Sequence, residues 1–224
     1  MIDKNIYCII GMTGSGKSTL LDSLLQSAPE DLDIGNLIYH TTRRKRDNEK
    51  DGVDYYFTDE NEYNKCRFAD ELIESRHYQK YDESVYYYTT KSDICDNPSR
   101  NILCAASVDQ AISYYNMFKD KVHIIMLNVS VKERLQRLIE RADNDNDIKE
   151  ACRRIIEEEN EFARINDYYQ KDLISSITIN NSVKYIHKSY NEFSDEYKYI
   201  LKAVFDFIRF NDKAHIINWR KEEI

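Results

Sequence analysis

Glycine and proline are scarce in this chain of 224 residues, at five and two positions. That shortage excludes collagen-like and Pro/Gly-rich disordered architectures. The five cysteines are scattered, with no Cys-x-x-Cys pair and no Cys/His cluster. A zinc ribbon and a disulfide scaffold are thereby excluded, and reduced, mostly buried thiols are expected. No apolar run approaches the ~20 residues of a bilayer span. The N-terminus has no basic region followed by a long apolar segment, because Asp3 and Lys4 precede only a short one. A soluble, cytoplasmic protein with no membrane partner is expected. A basic surplus is also missing: 32 Lys and Arg stand against 40 Asp and Glu, for a net charge of −8. General attraction to nucleic acid is excluded, although a local basic pocket is not. What remains is globular, with 42% hydrophobic and 32% charged residues. The length suits one α/β domain with insertions, or one and a half average domains, enough for a good core. Tyrosine is abundant at 18 residues, which reads as compositional drift of little functional weight.

Three of the five glycines fall in one stretch, Gly11-Met12-Thr13-Gly14-Ser15-Gly16-Lys17-Ser18-Thr19. This is Gly, four residues, then Gly-Lys-Ser, the pattern of a phosphate-binding loop. Ile6 to Ile10 before it reads as a buried strand, and Leu20 to Leu25 after it as a helix. Glycines let the backbone turn sharply and approach a phosphate closely. The loop amides then form an anion nest at a helix N-terminus. Lys17 is placed to reach β- and γ-phosphates and the Ser18 hydroxyl to ligate Mg²⁺.

After a turn-rich connection over 28–35, Leu37–His40 reads as a short strand leading into the most basic stretch, Thr41 to Arg46. Asp51-Gly52 is a turn and Val53–Phe57 a strand. Asp59 is placed to cap a helix through Tyr63, Cys66 and Phe68. Glu71–Ser75 and Tyr86–Thr90 read as further short strands. A βα rhythm then resumes: a strand over Ile102–Ala106, a helix over Val108–Phe118, and a doubly buried parallel strand over Val122–Val129. Ser130 and Glu133 stand at capping-box spacing before a helix carrying Arg134, Arg137 and Arg141. A polar link over Ala142–Asp147 leads to a long helix from about Ile148 past Arg164. Ser176–Asn180 reads as a last strand. Apolar residues from Tyr190 to Ile208 repeat at helical spacing, as a closing helix with a core face. A parallel sheet with the phosphate loop on its first strand places a nucleotide at the carboxyl edge of the strands.

Thr41-Thr42-Arg43-Arg44-Lys45-Arg46 and Asp51-Gly52-Val53-Asp54-Tyr55-Tyr56-Phe57, together with the loop at 11–19, resemble the guanylate kinase family. The resemblance covers roughly residues 4–180 and the closing helix. It implies an α/β P-loop kinase fold, a parallel sheet flanked by helices with a mostly β acceptor-binding insertion and a helical lid. The implied divisions are a core of 1–36, 91–133 and 156–224, an acceptor subdomain of 37–90 and a lid of 134–155. The implied activity moves the γ-phosphoryl of ATP onto GMP or dGMP with Mg²⁺. The donor side is then Gly11, Thr13 to Thr19 and Asn180, with Ser18 on the metal. Arg43 and Arg46 match the arginines that hold the acceptor phosphate, whose dianion suits guanidinium forks. Tyr55 and Tyr87 match tyrosines reaching the same phosphate. Glu74 matches the glutamate that reads guanine N1–H and the 2-amino group, and Thr89 the hydroxyl that also touches the base. Arg137, Arg141 and Arg154 match the lid arginines, which with Lys17 and Arg43 complete the catalytic set. The implied partners are nucleotide substrates, with a monomer or homodimer as the assembly.

Four departures from the family pattern matter, three of them on the acceptor side. Tyr39 stands where the family has a small Ser or Thr that helps read guanine. Tyr87-Tyr88-Thr89 replaces Tyr-Gly-(Ser/Thr), with about four extra residues near Tyr81 to Ser84. The family's Asp-x-Asp strand reads Leu103-Cys104-Ala105-Ala106, leaving Asp54 or Asp109 as substitutes. A tail from Asn211 to Ile224 carries the only tryptophan, Trp219, and is placed to cap the core or make a dimer contact. These departures keep two alternatives open: a P-loop kinase for another nucleoside monophosphate or a sugar phosphate, and a non-catalytic guanylate kinase-like binding module.

Overall fold

A computed structural model describes residues 2–80, 83–169, 175–180, 194–210 and 215–217. Its centre is β1 (Asn5–Gly11), whose residues after Asn5 are all buried. Strands β7 (Asn101–Ala105) and β8 (Val122–Asn128) flank it in parallel. The sheet continues through β9 (Ser175–Asn180) and β10 (His215–Ile217) on one side and β2 (Ile34–Asn36) on the other. All five pairings are parallel, and both faces are covered, as such sheets require.

The alternation along β1 sorts the two layers. Tyr7 and Ile9 point toward α1 (Lys17–Ser27) and α7 (Asp195–Phe210), packing with Leu20, Leu24, Ile200, Leu201 and Val204. Ile6, Cys8 and Ile10 point toward α4 (Val108–Phe118), packing with Ala111, Ile112 and Tyr114. The closing helix is a core helix, as its apolar repeat predicts; Tyr190 and Phe193 lie outside the described residues. The α5 helix (Val131–Arg141) and α6 (Asp145–Tyr169) follow β8.

A second sheet runs β4-β3-β6-β5, from β3 (His40–Thr41), β4 (Tyr56–Phe57), β5 (Leu72–Lys80) and β6 (Glu83–Thr90). The α2 helix (Glu60–Phe68) packs on it, capped by the Asp59 carboxylate on the Glu62 amide at 2.8 Å. The mostly β character of this region is met.

Several boundaries differ from expectation. The connection over 28–35 contains a 3₁₀ turn (Glu30–Leu32) and the edge strand β2. Leu37 still donates its amide to Leu103 of the large sheet at 2.9 Å, so strand β3 starts only at His40. Val53–Phe57 is a strand only at its last two residues. Asp54 and Asp51 accept from the Lys50 and Phe57 amides at 2.7 and 2.9 Å, and such side-chain bonds compete with a ladder. β5 and β6 outrun the expected short strands and pair antiparallel out to Lys80↔Glu83; Tyr81 and Asp82 lie outside the described residues. The short α3 (Lys91–Cys95) is unexpected, yet Thr90 and Asp93 form a full capping box. The α6 helix begins at Asp145 rather than near Ile148. Ser130 caps α5, but Glu133 turns its carboxylate to the Ser130 hydroxyl at 2.8 Å. The tail supplies β10, while Trp219 lies outside the described residues. All five thiols are free, and "mostly buried" fails: only Cys8 and Cys104 are buried, while Cys95 and Cys152 are exposed on helical ends and faces. Among the described residues no helix is long and apolar enough to cross a membrane.

Candidate active site

The glycine stretch closes β1 and opens α1. Gly14 and Gly16 lie in the left-handed region, at φ of 82° and 95°. Gly16 sits at the N-cap of α1, so the turn that delivers the chain into the helix needs a residue without a Cβ there. A Cβ on Gly14 would stand 2.9 Å from the Arg134 carbonyl oxygen. Loop and α5 are therefore in close backbone contact. Thr13 and Ser15 are buried, while Ser18 is exposed in the first turn of α1. The Lys17 ammonium donates to the Gly11 carbonyl at 2.5 Å. The Thr13 amide and hydroxyl donate to the carboxylate of Glu158 on α6. A nest that takes a carboxylate on an amide and a hydroxyl fits a phosphate. One exposed hydroxyl fits Mg²⁺, which binds through few protein ligands and substrate phosphates. Among the described residues no cluster of three His, Cys, Asp or Glu offers a protein-only metal cage.

The residues expected on the acceptor side gather on one face of the second sheet. Tyr87 and Thr89 are two apart on β6, hence on the same side and roughly 7 Å apart. Thr89 pairs with Glu74 and Tyr87 with Arg76 across the hairpin. Around Tyr87 lies a cationic cluster. Arg43 donates Nε to the Tyr87 hydroxyl at 3.1 Å and stands 5.4 Å over the Tyr55 ring. Its two terminal nitrogens grip Glu49 at 2.9 and 2.8 Å. Glu49 also accepts from the Arg46 amide at 2.8 Å. These bonds, the Arg43 one first, hold the Glu49 carboxyl down at about 2. The Arg46 side chain itself is exposed. Around Thr89 lies the second cluster. Glu74 Oε1 accepts from Thr89 at 2.7 Å and from Gln110 Nε2 at 3.1 Å. Thr89 also bonds the Tyr114 hydroxyl at 2.8 Å. Burial raises the Glu74 carboxyl above its ordinary value, and the Thr89 and Gln110 bonds oppose that rise.

From α5, Arg137 donates to the Gly14 and Ser15 carbonyls at 3.3 and 3.4 Å. Arg134 is 1% exposed and donates to the Val129 and Thr13 carbonyls, so it braces the loop from behind. Arg154 is exposed on α6, 3.9 Å from Glu158. Arg141 is exposed at the last turn of α5, and no contact with the loop is seen for it. Asn180 ends β9 opposite Asn128; its side chain lies outside the description.

The family model for guanylate kinase matches residues 3–197. The chain belongs to the guanylate kinase family. It is 32% identical over 166 residues to the guanylate kinase of Mycoplasma genitalium, covering 73% of this chain and 66% of that protein. It is 27% identical over 209 residues to the guanylate kinase of Legionella pneumophila strain Paris, covering 89% and 96%. The crystal structure of guanylate kinase from Anaplasma phagocytophilum superposes with a TM-score of 0.56 at 20% identity, covering 93% of this chain and 86% of that one. That likeness supports the fold.

Against the guanylate kinase pattern, the departures fall into place by geometry. Tyr88 replaces a glycine but faces away from the Tyr87–Thr89 side. Its fully buried ring stacks on His40 at 4.9 Å and its hydroxyl bonds Thr58 at 3.1 Å. Its φ is not positive, so no glycine-only conformation is forced on it. Tyr39 does face the base side. Its hydroxyl donates to the Ala105 carbonyl at 3.3 Å, beside the strand that lacks the Asp-x-Asp. The large Tyr39 and the small Cys104–Ala106 segment are thus complementary. Of the expected substitutes for those acids, Asp54 is committed to its own turn and Asp109 is exposed at the start of α4. Gln110, Tyr114, Glu49 and Glu158 were not among the expected site residues. Ser107-x-x-Gln110 is a capping box that marks Gln110 locally, but nothing in sequence ties it to Glu74.

Proposed function

We propose that the protein transfers the γ-phosphoryl group of ATP to GMP or dGMP, giving the diphosphate. The observation that carries this is the pairing of a formed phosphate loop with Glu74 and Arg43 on adjacent patches of one sheet face. Glu74 Oε1 is taken by Thr89 and Gln110, and both of these bonds leave Oε2 to the base. A carboxylate there suits the adjacent N1–H and 2-amino donors of guanine; adenine offers no N1–H. The acceptor phosphate takes the place of Glu49 on Arg43, with Arg46, Tyr55 and Tyr87 as further donors. Thr13 to Thr19 cradle the donor phosphates, Lys17 holds the charge of the transferring group, and Ser18 supplies the metal ligand. Bound Mg²⁺–ATP supplies the phosphoryl group and a cation that neutralises its oxygens. Arg137 and Arg154, with Arg141 on the same helix pair, close over the transferring group and exclude water. Tyr39 shapes the base pocket and Asn180 lies at the donor base. The chain contributes position and charge rather than a covalent intermediate. Residues 37–90 act as the acceptor subdomain and 134–155 as the lid of the core, the work being that of a cytoplasmic monomer or homodimer.

A coupled assay of diphosphate formation with GMP, dGMP, AMP and IMP tests this directly. GMP or dGMP is the expected acceptor, and Lys17→Ala lowers kcat by about a thousandfold or more. Turnover of another acceptor with none of GMP overturns the assignment.

A further inference from the structure

The phosphate loop already holds an anion, and the chain itself supplies it. Glu158 lies across the loop from α6, its carboxylate accepting from both the amide and the hydroxyl of Thr13. Its side chain is 17% exposed. Four cations surround it among the described residues: Lys17 on the Gly11 carbonyl, Arg134 on the Thr13 carbonyl, Arg137 on the Gly14 and Ser15 carbonyls, and Arg154. A carboxylate bridging an amide and a hydroxyl presents two oxygens much as one phosphate does. The position matters too. Lys17, the residue that reaches a terminal phosphate, has its ammonium at the Gly11 and Met12 carbonyls, directly before Thr13. Thr13 is the next residue along, at the β1 end of the loop, whereas the other nest amides lie toward the start of α1.

We propose that Glu158 is the loop's resident counter-anion: it holds the place of the donor's terminal phosphate and thereby sets the preference between triphosphate and diphosphate. This rests on the donor assignment above. A third phosphate and a carboxylate cannot share Thr13, since like charges at hydrogen-bonding distance repel. A triphosphate must displace Glu158, whereas a diphosphate fills the nest without doing so. Arg154 stands one helical turn earlier, 3.9 Å from the carboxylate, and receives it on displacement. The exchange needs no new segment, only a change of partner for one side chain. Donor affinity in the wild type is accordingly weakened for ATP more than for ADP.

Isothermal titration of Mg²⁺–ATP and Mg²⁺–ADP into wild type, Glu158→Gln and Glu158→Ala measures this. The glutamine keeps the shape and removes the charge; the alanine removes the competing oxygens as well. The expected result is ATP binding about tenfold tighter in both variants, with ADP changed less than about twofold. A merely structural role for Glu158 would move both nucleotides together and would lower the melting temperature. An unchanged ATP-to-ADP affinity ratio in both variants overturns the proposal, with the donor assignment intact. Failure of wild type and both variants alike to bind ATP sinks the donor assignment itself.

Discussion

Glu74 shows how far one residue's chemistry depends on neighbours that sequence spacing does not reveal. Its carboxyl is raised by burial and is kept from rising further by Thr89 and Gln110. For the proposed reading of guanine it must be ionised, because a protonated carboxyl turns a donor toward the N1–H donor. A raised value means that protonation begins above the ordinary glutamate range, so kcat/KM for GMP should fall on the acid side at a higher pH than an ordinary glutamate would give. Gln110→Leu removes one of the two opposing bonds. The acid limb should move to higher pH and KM for GMP should rise by roughly tenfold, with KM for ATP unaffected. Superimposable acid limbs for the two proteins in a pH–rate series would sink this. Arg43, Tyr55, Glu74, Tyr87 and Thr89 could be picked out as candidates because their positions are fixed within short local patterns. Gln110 could not, because its partner lies 36 positions away in sequence.

At the level of elements, what was legible followed run length and alternation. β1 and β8 are long and buried on both faces, and their unbroken apolar runs say so. β2, β3 and β4 are two or three residues long, too short for any period to emerge. Alternation also explains the tyrosine excess that composition alone made look idle. Tyr86 and Tyr88 point to the far face of the second sheet, where Tyr86 stacks on Tyr63 at 4.0 Å and on His77 at 4.8 Å. The same strand turns Tyr87 and Thr89 to the opposite side, so an aromatic layer backs the face proposed for the acceptor. The seam between loop and α5 is the other element-scale contact. At Gly14 a Cβ meets the Arg134 carbonyl oxygen at 2.9 Å and the Arg134 Cβ at 3.2 Å, at a φ of 82°. These are backbone or near-backbone atoms that cannot swing aside. Gly14→Ala should cost about 1–3 kcal/mol of stability and push α5, with Arg137, off the loop. Urea unfolding reads the first effect and loss of ATP binding the second; a variant with wild-type stability and affinity would contradict the seam.

Across the whole molecule, the layer between the large sheet and α7 contains one polar side chain that no motif explains. His123 on β8 is 1% exposed. Its ring stacks on Tyr7 at 4.7 Å and meets Phe207 edge-on at 6.3 Å. Neither ring nitrogen has a partner among the described residues. In sequence it is a single interruption in an apolar run, and the run alone placed it in a buried strand. Burial, with Lys121 adding to it, depresses its pKa from 6.5 to about 4. The folded state therefore holds the ring neutral while the unfolded chain protonates it below about 6.5. Stability from this residue is complete above that pH, is lost progressively as pH falls, and stops falling near 4, where the folded form also takes the proton. The loss amounts to at most about 3 kcal/mol. His123→Phe keeps an aromatic ring in the layer and has nothing to titrate. The carboxylates are common to both proteins, so their contributions cancel in the difference. Urea melts between pH 8 and 4.5 should show the variant gaining on the wild type only below about pH 6.5. A constant difference across that range would mean that the ring is solvated or paired in solution, and the central layer would then be wetter than its packing indicates.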